Sequence, residues 1–217
     1  MTGRVAQQAV YEQGWELRDN APRPLKPSPN IAPHQWLALI RQPEILESAH
    51  WGLAPSWISH LDRAPYTARA DQLLTNGIFK KPVRRQRALI PVDGIYEWIQ
   101  QDKRRWPVYI SSPEQPVLYA AALWETYKFE ELSFLTCALI STRANAFLSA
   151  FLTRMPVFLT EEQAQQWLDP DLSEEEVFKL LQPWSAPLQS WQVTPQMNSP
   201  DFQSPECIQP IGRRFQG

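Results

Sequence analysis

Ile90-Pro91-Val92-Asp93-Gly94-Ile95-Tyr96-Glu97-Trp98 reads as an apolar strand that enters a Gly turn and leaves as a second strand, with one carboxylate among large apolar side chains. Strand faces alternate, so Glu97 either points to water or lies inside. Placed inside, it loses hydration, its pKa rises, and it becomes suited to proton transfer near neutrality. The stretch by itself leaves both readings open. Outward from it on the C-terminal side the β-signal stays strong, and residues 88–92, 95–100, 107–110, 117–124 and 133–140 read as strands that bend into a sheet or close as a barrel. On the N-terminal side, 36–41 and 49–53 read as paired strands joined across Gln42-Pro43-Glu44. Helical signals are few and short. Thr160-Glu161-Glu162-Gln163 and Ser173-Glu174-Glu175-Glu176 each match a capping box, so helices are expected after Thr160 and Ser173, ending before Pro170 and Pro183. Short helices are also expected near Ala9, Val10, Trp15 and Leu17 and over 144–151. The Pro-rich 21–33 reads as an extended surface crossing, and the tail beyond Leu188 as irregular or extended.

The 217 residues suffice for one sizeable core, and a single domain over 1–217 is the expectation. Apolar residues make up 43% and aromatic ones 12%, ten of them Trp; 21 Pro against 7 Gly point to many short elements joined by rigid turns. Two cysteines, Cys137 and Cys207, suit reduced thiols in a cytoplasmic protein rather than a disulfide framework. No stretch reaches the roughly 20 apolar residues of a membrane span, so no membrane partner is expected. Net charge is −2, which supplies no global attraction to nucleic acid. Locally, however, Lys80, Lys81, Arg84, Arg85, Arg87, Lys103, Arg104 and Arg105 face Asp93, Glu97 and Asp102 in number, whereas 161–176 is acidic. Such a basic stripe is either a phosphate footprint or a solvated surface.

Several chemistries drop out. His34, His50 and His60 have neither metal-ligand spacing nor neighbouring cysteines, so no metal is expected, and no Gly-rich phosphate loop or nucleophile elbow is present. No cofactor is indicated. Two Arg-bearing turns remain, Thr67-Ala68-Arg69-Ala70-Asp71 and Leu152-Thr153-Arg154-Met155-Pro156. Their guanidinium forks suit phosphate, or else pair structurally with a carboxylate such as Asp71. The start, Met1-Thr2-Gly3-Arg4, is the last feature. Removal of Met1 before a small residue leaves Thr2 with a free α-amine of pKa about 7.7–8.0, able to attack an aldehyde as an imine-forming nucleophile. An ordinary chain start is the alternative.

Taken together these motifs resemble one family in order along nearly the whole chain, the SOS response-associated peptidase (SRAP) domain. Met1-Thr2-Gly3-Arg4 stands where that family has Met-Cys-Gly-Arg, and Asn30-Ile31-Ala32-Pro33 is similar to its Asn-x-Ala-Pro turn. Trp51-Gly52-Leu53-Ala54-Pro55-Ser56-Trp57 matches Trp-Gly-Leu-x-Pro-x-Trp, and Thr67 to Asp71 matches Asn-Ala-Arg-x-Glu. Phe79 to Pro82 matches Phe-x-x-Pro, Arg87 to Trp98 the Gly-Phe-Tyr-Glu-Trp strand, and Leu152 to Pro156 the His-x-Arg-Met-Pro turn.

The resemblance implies an α+β fold with a bent or barrel-like mixed β-core flanked by short helices. It also implies a DNA-damage role in which the N-terminal residue condenses with the aldehyde of an abasic site in single-stranded DNA as a DNA–protein crosslink. By the same resemblance Thr2 and Glu97 take the catalytic positions. Arg4, Asn30, Trp51, Trp57, Arg69, Lys80, Lys81, Arg84, Arg85 and Arg154 become the candidate DNA-binding residues. The chain departs from the family pattern where the Cys is Thr2, the Asn is Thr67 and the His is Leu152. A hydroxyl is a poorer nucleophile than a thiolate and Leu152 exchanges no proton, so the expectation is a single-stranded DNA binder with impaired crosslinking. Two alternatives stay open. One is an active imine-forming enzyme or peptidase (a hydrolase) using Thr2 and Glu97; the other is a non-enzymatic scaffold whose acidic 161–176 region meets an unknown protein partner.

Overall fold

The Asp93-Gly94 corner is where the chain passes from one sheet to the other. The computed structural model describes residues 2–18, 22–101 and 103–217. Its strands, in chain order, begin with β1 (Val5–Gln7), β2 (Glu16–Arg18), β3 (Ser28–Ile31), β4 (Trp36–Leu39), β5 (Ile45–Trp51) and β6 (Thr67–Arg69). Next come β7 (Arg87–Val92), β8 (Gly94–Gln101), β9 (Arg104–Ser111), β10 (Leu118–Phe129) and β11 (Leu132–Arg143). The series ends with β12 (Arg154–Pro156), β13 (Phe158–Leu159), β14 (Gln189–Gln192) and β15 (Arg214–Gln216). A smaller sheet runs β15-β14-β9-β8-β1-β3. A larger one follows the path β13-β10-β11-β5-β2, with β12 and β6 on β11, β4 on β5 and β7 on β10. β7 lies in the larger sheet and β8 in the smaller, so Asp93 is the hinge between them.

Close contacts fix that corner. Asp93 accepts the Gln8 N–H at 2.6 Å and the Val10 N–H at 3.2 Å, which ties the N-terminal segment to the turn. At Gly94 a Cβ would stand 2.5 Å from Tyr109 Cζ and 2.6 Å from the Ile110 carbonyl oxygen, so the approach of β8 to β9 there leaves no room for a side chain.

The fold is α+β, and its sheets are open rather than closed as a barrel. β10 and β11 are each 12 residues long and change partners along their length, so the larger sheet branches. An isolated Ile40–Leu89 bridge brings the end of β4 to β7. The main core is drawn from both sheets, with Ile95, Val108 and Ile110 against Trp51, Ala88, Ile90 and Leu139, all buried. Burial at about 25 cal/mol per Å² of apolar surface makes such an interface the dominant favourable contribution. The far face of the larger sheet is covered by α1 (Gly77–Lys80), α2 (Pro82–Arg85), α3 (Glu161–Leu168) and α4 (Glu174–Leu180), through Phe79, Val83, Trp167 and Val177.

Both expected capping boxes are present, on Thr160 with Gln163 and on Ser173 with Glu176. Elsewhere local signals were overridden. The Pro-rich segment contains the buried strand β3 rather than a surface crossing; Pro29 is tolerated because β3 is the edge strand, where a missing N–H costs no ladder bond. Ala9–Glu12 is a 3-10 turn, but Trp15 and Leu17 are not helical, since Glu16–Arg18 pairs with β5. Residues 144–151 give a single 3-10 turn, Leu148–Ala150, and the tail returns to the smaller sheet as β14 and β15. Cys137 and Cys207 are free and buried. Among the described residues no helix is long and apolar enough to cross a membrane.

Candidate functional site

The N-terminal segment runs beside β8, with Val5 opposite Ile95 and the Tyr96 N–H donating to the Arg4 carbonyl at 2.9 Å. This register carries Thr2 to Glu97, and the Thr2 hydroxyl donates to Glu97 Oε1 at 2.8 Å. Both are nearly inaccessible, at 3% and 4% exposure. Alternation along β8 therefore resolves inward for Glu97. Burial pushes its carboxyl above the usual range, opposed by the Thr2 hydrogen bond and the positive charge of Arg105. Arg105 was counted in the basic stripe but not as part of the site; its charge near a strand carboxylate was the available signal. Met1 lies outside the described residues.

A raised folded-state pKa means the native protein holds the Glu97 proton more tightly than the unfolded chain, so this group's contribution to stability grows as pH falls from above the folded value toward the unfolded one. Glu97→Gln, which keeps an acceptor for Thr2, is expected to remove that component. The wild-type-minus-variant difference in melting temperature, followed from pH 8 down to about 4.5, should then rise in favour of wild type. A difference that stays flat would contradict the burial of the charge.

Thr67 and Leu152 are the other two positions at which the motifs depart from the family pattern. Thr67 begins β6, opposite Leu139. Leu152 packs on the cluster containing Ile95 and Val108, the residues that flank Glu97 along its strand and across the ladder. Leu152 thus adds to that core an apolar side chain with no proton to exchange.

The candidate binding residues fall into three groups. Arg4 and Asn30 are buried and bonded to each other, Nη1 to Oδ1 at 3.1 Å. Asn30 Nδ2 faces the carbonyls of Met197, Ser199 and Phe202 at 2.9–3.0 Å, and Arg4 Nη2 donates to Asn198 O. These two residues clamp the segment after β14 onto the N-terminus, which occupies the groups that the sequence reading assigned to DNA. Trp51 is fully buried, with Nε1 on the Tyr66 carbonyl at 2.9 Å, so it offers no ring face for stacking; Trp57 is 69% exposed.

The second group is Arg69 and Arg154. Arg69 binds Asp71 through Nε and Nη2 at 3.1 and 2.6 Å, and Arg154 reaches the same carboxylate at 3.5 Å while donating to the Ser141 carbonyl. Arg154, Asp71 and Arg143 line a groove of about 610 Å³. Arg143 was not singled out from sequence, because its place opposite Arg154 follows from the β11–β12 register. In the third group, Lys80 on α1, Lys81 between the two helices, and Arg84 and Arg85 on α2 are exposed, with Arg84 3.6 Å from Glu174. Arg87 differs from them. It is buried and donates to the carbonyls of Trp167, Val83, Arg84 and Asp169, so it is a core fastening rather than part of the basic stripe. The acidic 161–176 region is accounted for largely by helix starts, where Ser173 holds Glu176 below the usual carboxylate range.

An open two-sheet α+β fold with a buried hydroxyl–carboxylate pair at its N-terminus and an Arg-lined groove defines the class of this molecule. The family model for SOS response associated peptidase (SRAP) matches residues 1–200, and the chain belongs to that family. It is 34% identical over 193 residues to the abasic site processing protein YoqW of Bacillus subtilis, covering 84% of this chain and 86% of that one. To the abasic site processing protein YedK of Escherichia coli it is 28% identical over 226 residues, covering 97% and 100%. A crystal structure of a protein from Bacteroides thetaiotaomicron shares the fold with a TM-score of 0.82 at 21% identity, over 96% of this chain and 98% of that one.

Proposed function

We propose that this chain binds single-stranded DNA at or beside abasic sites and that its crosslinking chemistry is impaired by Thr2. The observation that carries the reading is the buried 2.8 Å contact between Thr2 and Glu97, which keeps residue 2 beside a carboxyl whose pKa burial raises, in a chain whose curated relatives are abasic site processing proteins. With Met1 removed, the Thr2 amine adds to the ring-opened aldehyde, and Glu97 delivers a proton to the departing hydroxyl so that imine and water result. Closing the ring requires the Thr2 hydroxyl to add to the imine carbon and lose its proton. That is slower than for a thiol, because the hydroxyl is scarcely ionised near neutrality.

Binding is tested by anisotropy with a labelled single strand across a salt series. Arg69→Ala/Arg154→Ala is expected to flatten the log–log salt slope by about 1.4, at about 0.7 per phosphate contact on a single strand. Asp71→Asn, which frees both forks, is expected to tighten binding. No binding at low salt, or a slope indifferent to both changes, would remove the DNA reading.

A further inference from the structure

On the face of the smaller sheet that carries Glu97 lies a cavity of about 510 Å³ to which the reaction above gives no role. Ile99, two residues along the strand from Glu97, and Val108, directly across from it, both line the cavity. Phe151 and Phe215 also line it, 36% and 60% exposed, and Phe147 stands 6.3 Å from Phe151 with the rings at 87°. Arg213, exposed, adds a cation to the lining.

Phe215 and Arg213 come from the segment beyond residue 200, outside the matched family region. That segment is tied down here. Gly217 and Leu188 exchange two backbone hydrogen bonds of 2.8 and 3.0 Å, and Arg214 lies over Trp191 at 4.7 Å. Register places Phe215 opposite Ser190 and hence on the cavity side.

Apolar walls, exposed aromatic rings and one cation suit a flat aromatic group that bears an anion. A nucleobase with its phosphate has that chemistry, whereas an apolar peptide side chain would leave Arg213 unused. We infer that this cavity receives the nucleobase adjoining the abasic residue, stacked on Phe151 and Phe215 with Arg213 on its phosphate. The inference rests on the DNA reading of the Thr2–Glu97 site. It is physically economical as well: a base beside an abasic residue has already lost one stacking neighbour, so drawing it out of the strand costs less.

The test uses the full chain and labelled single strands bearing a tetrahydrofuran abasic analogue, with the adjoining nucleotide either carrying or lacking its base. Removing the base is expected to weaken wild type about tenfold. Phe151→Ala/Phe215→Ala should bind both strands alike, because base and rings act as one unit. Equal loss in wild type and variant, or no loss in wild type, overturns the inference while leaving the DNA reading standing. Failure of wild type to bind either strand overturns both. Indifference to the base, together with binding of a phenylalanine-bearing peptide that the double variant loses, assigns the cavity to a peptide side chain and likewise overturns it.

Discussion

Thr2→Cys by itself is expected to give slow, heat-labile adducts with an abasic single strand, whereas Thr2→Cys with Thr67→Asn and Leu152→His should form durable crosslinks about 10²–10⁴-fold faster. The thiol supplies the nucleophile, with an ordinary pKa of about 8.5 against a hydroxyl that barely ionises. It does not supply the missing proton carrier, because Leu152 packs on the Ile95 and Val108 cluster with nothing to exchange. Glu97 remains within reach of residue 2, so the wild-type chain should still yield an adduct when borohydride reduces the imine, and blocking the α-amine should abolish it. The measurement is the heat-resistant shifted band over time on a denaturing gel, with mass spectrometry of the intact protein confirming loss of Met1. A single Thr2→Cys variant as fast and as durable as the triple would show that the residues at positions 67 and 152 contribute nothing.

Asn30→Ala carries the largest expected loss of stability. Asn30, itself fully buried, faces three carbonyl oxygens and accepts from Arg4, which is 8% exposed. Alanine would leave those carbonyls and a buried guanidinium short of partners, at about 1–3 kcal/mol for each group that stays unsatisfied and more for a charged one, about 3–5 kcal/mol in sum after relaxation. For a chain of this size that lowers the melting temperature by roughly 10 °C. Trp57→Ala, at an exposed ring, should stay within about 0.5 kcal/mol of wild type. An Asn30→Ala protein that melts like wild type yet loses DNA would return Asn30 to the binding surface.

The site was legible where the chemistry is carried by residue type in a local pattern. Glu97 stands out because a carboxylate interrupts an apolar strand, and both capping boxes announce their helices through side chains three residues apart. Arg69 and Arg154 were legible as forks, and the structural alternative of pairing with Asp71 is the arrangement found. What failed was the assumption that matching motifs face solvent. Trp51, Asn30 and Arg87 belong to conspicuous stretches, yet each is buried with its polar atoms bonded to backbone carbonyls or, for Arg4 and Asn30, to each other. A carbonyl accepts from a donor up to 194 residues away, as Asn198 does from Arg4, and no local pattern encodes such a partner.

By itself the sequence determined the family, the β-rich α+β class, the helix starts and the substitution of Thr2, Thr67 and Leu152 in the motifs, because each depends on residues near one another in the chain. Tertiary structure decided the rest. It turned Glu97 inward, since the face of a strand is set by which sheet lies against it, and it joined Thr2 to that carboxylate across 95 positions of sequence. It also brought residues 213 and 215 to the cavity beside Glu97, because β15 finds its place only once β14 has been laid against β9.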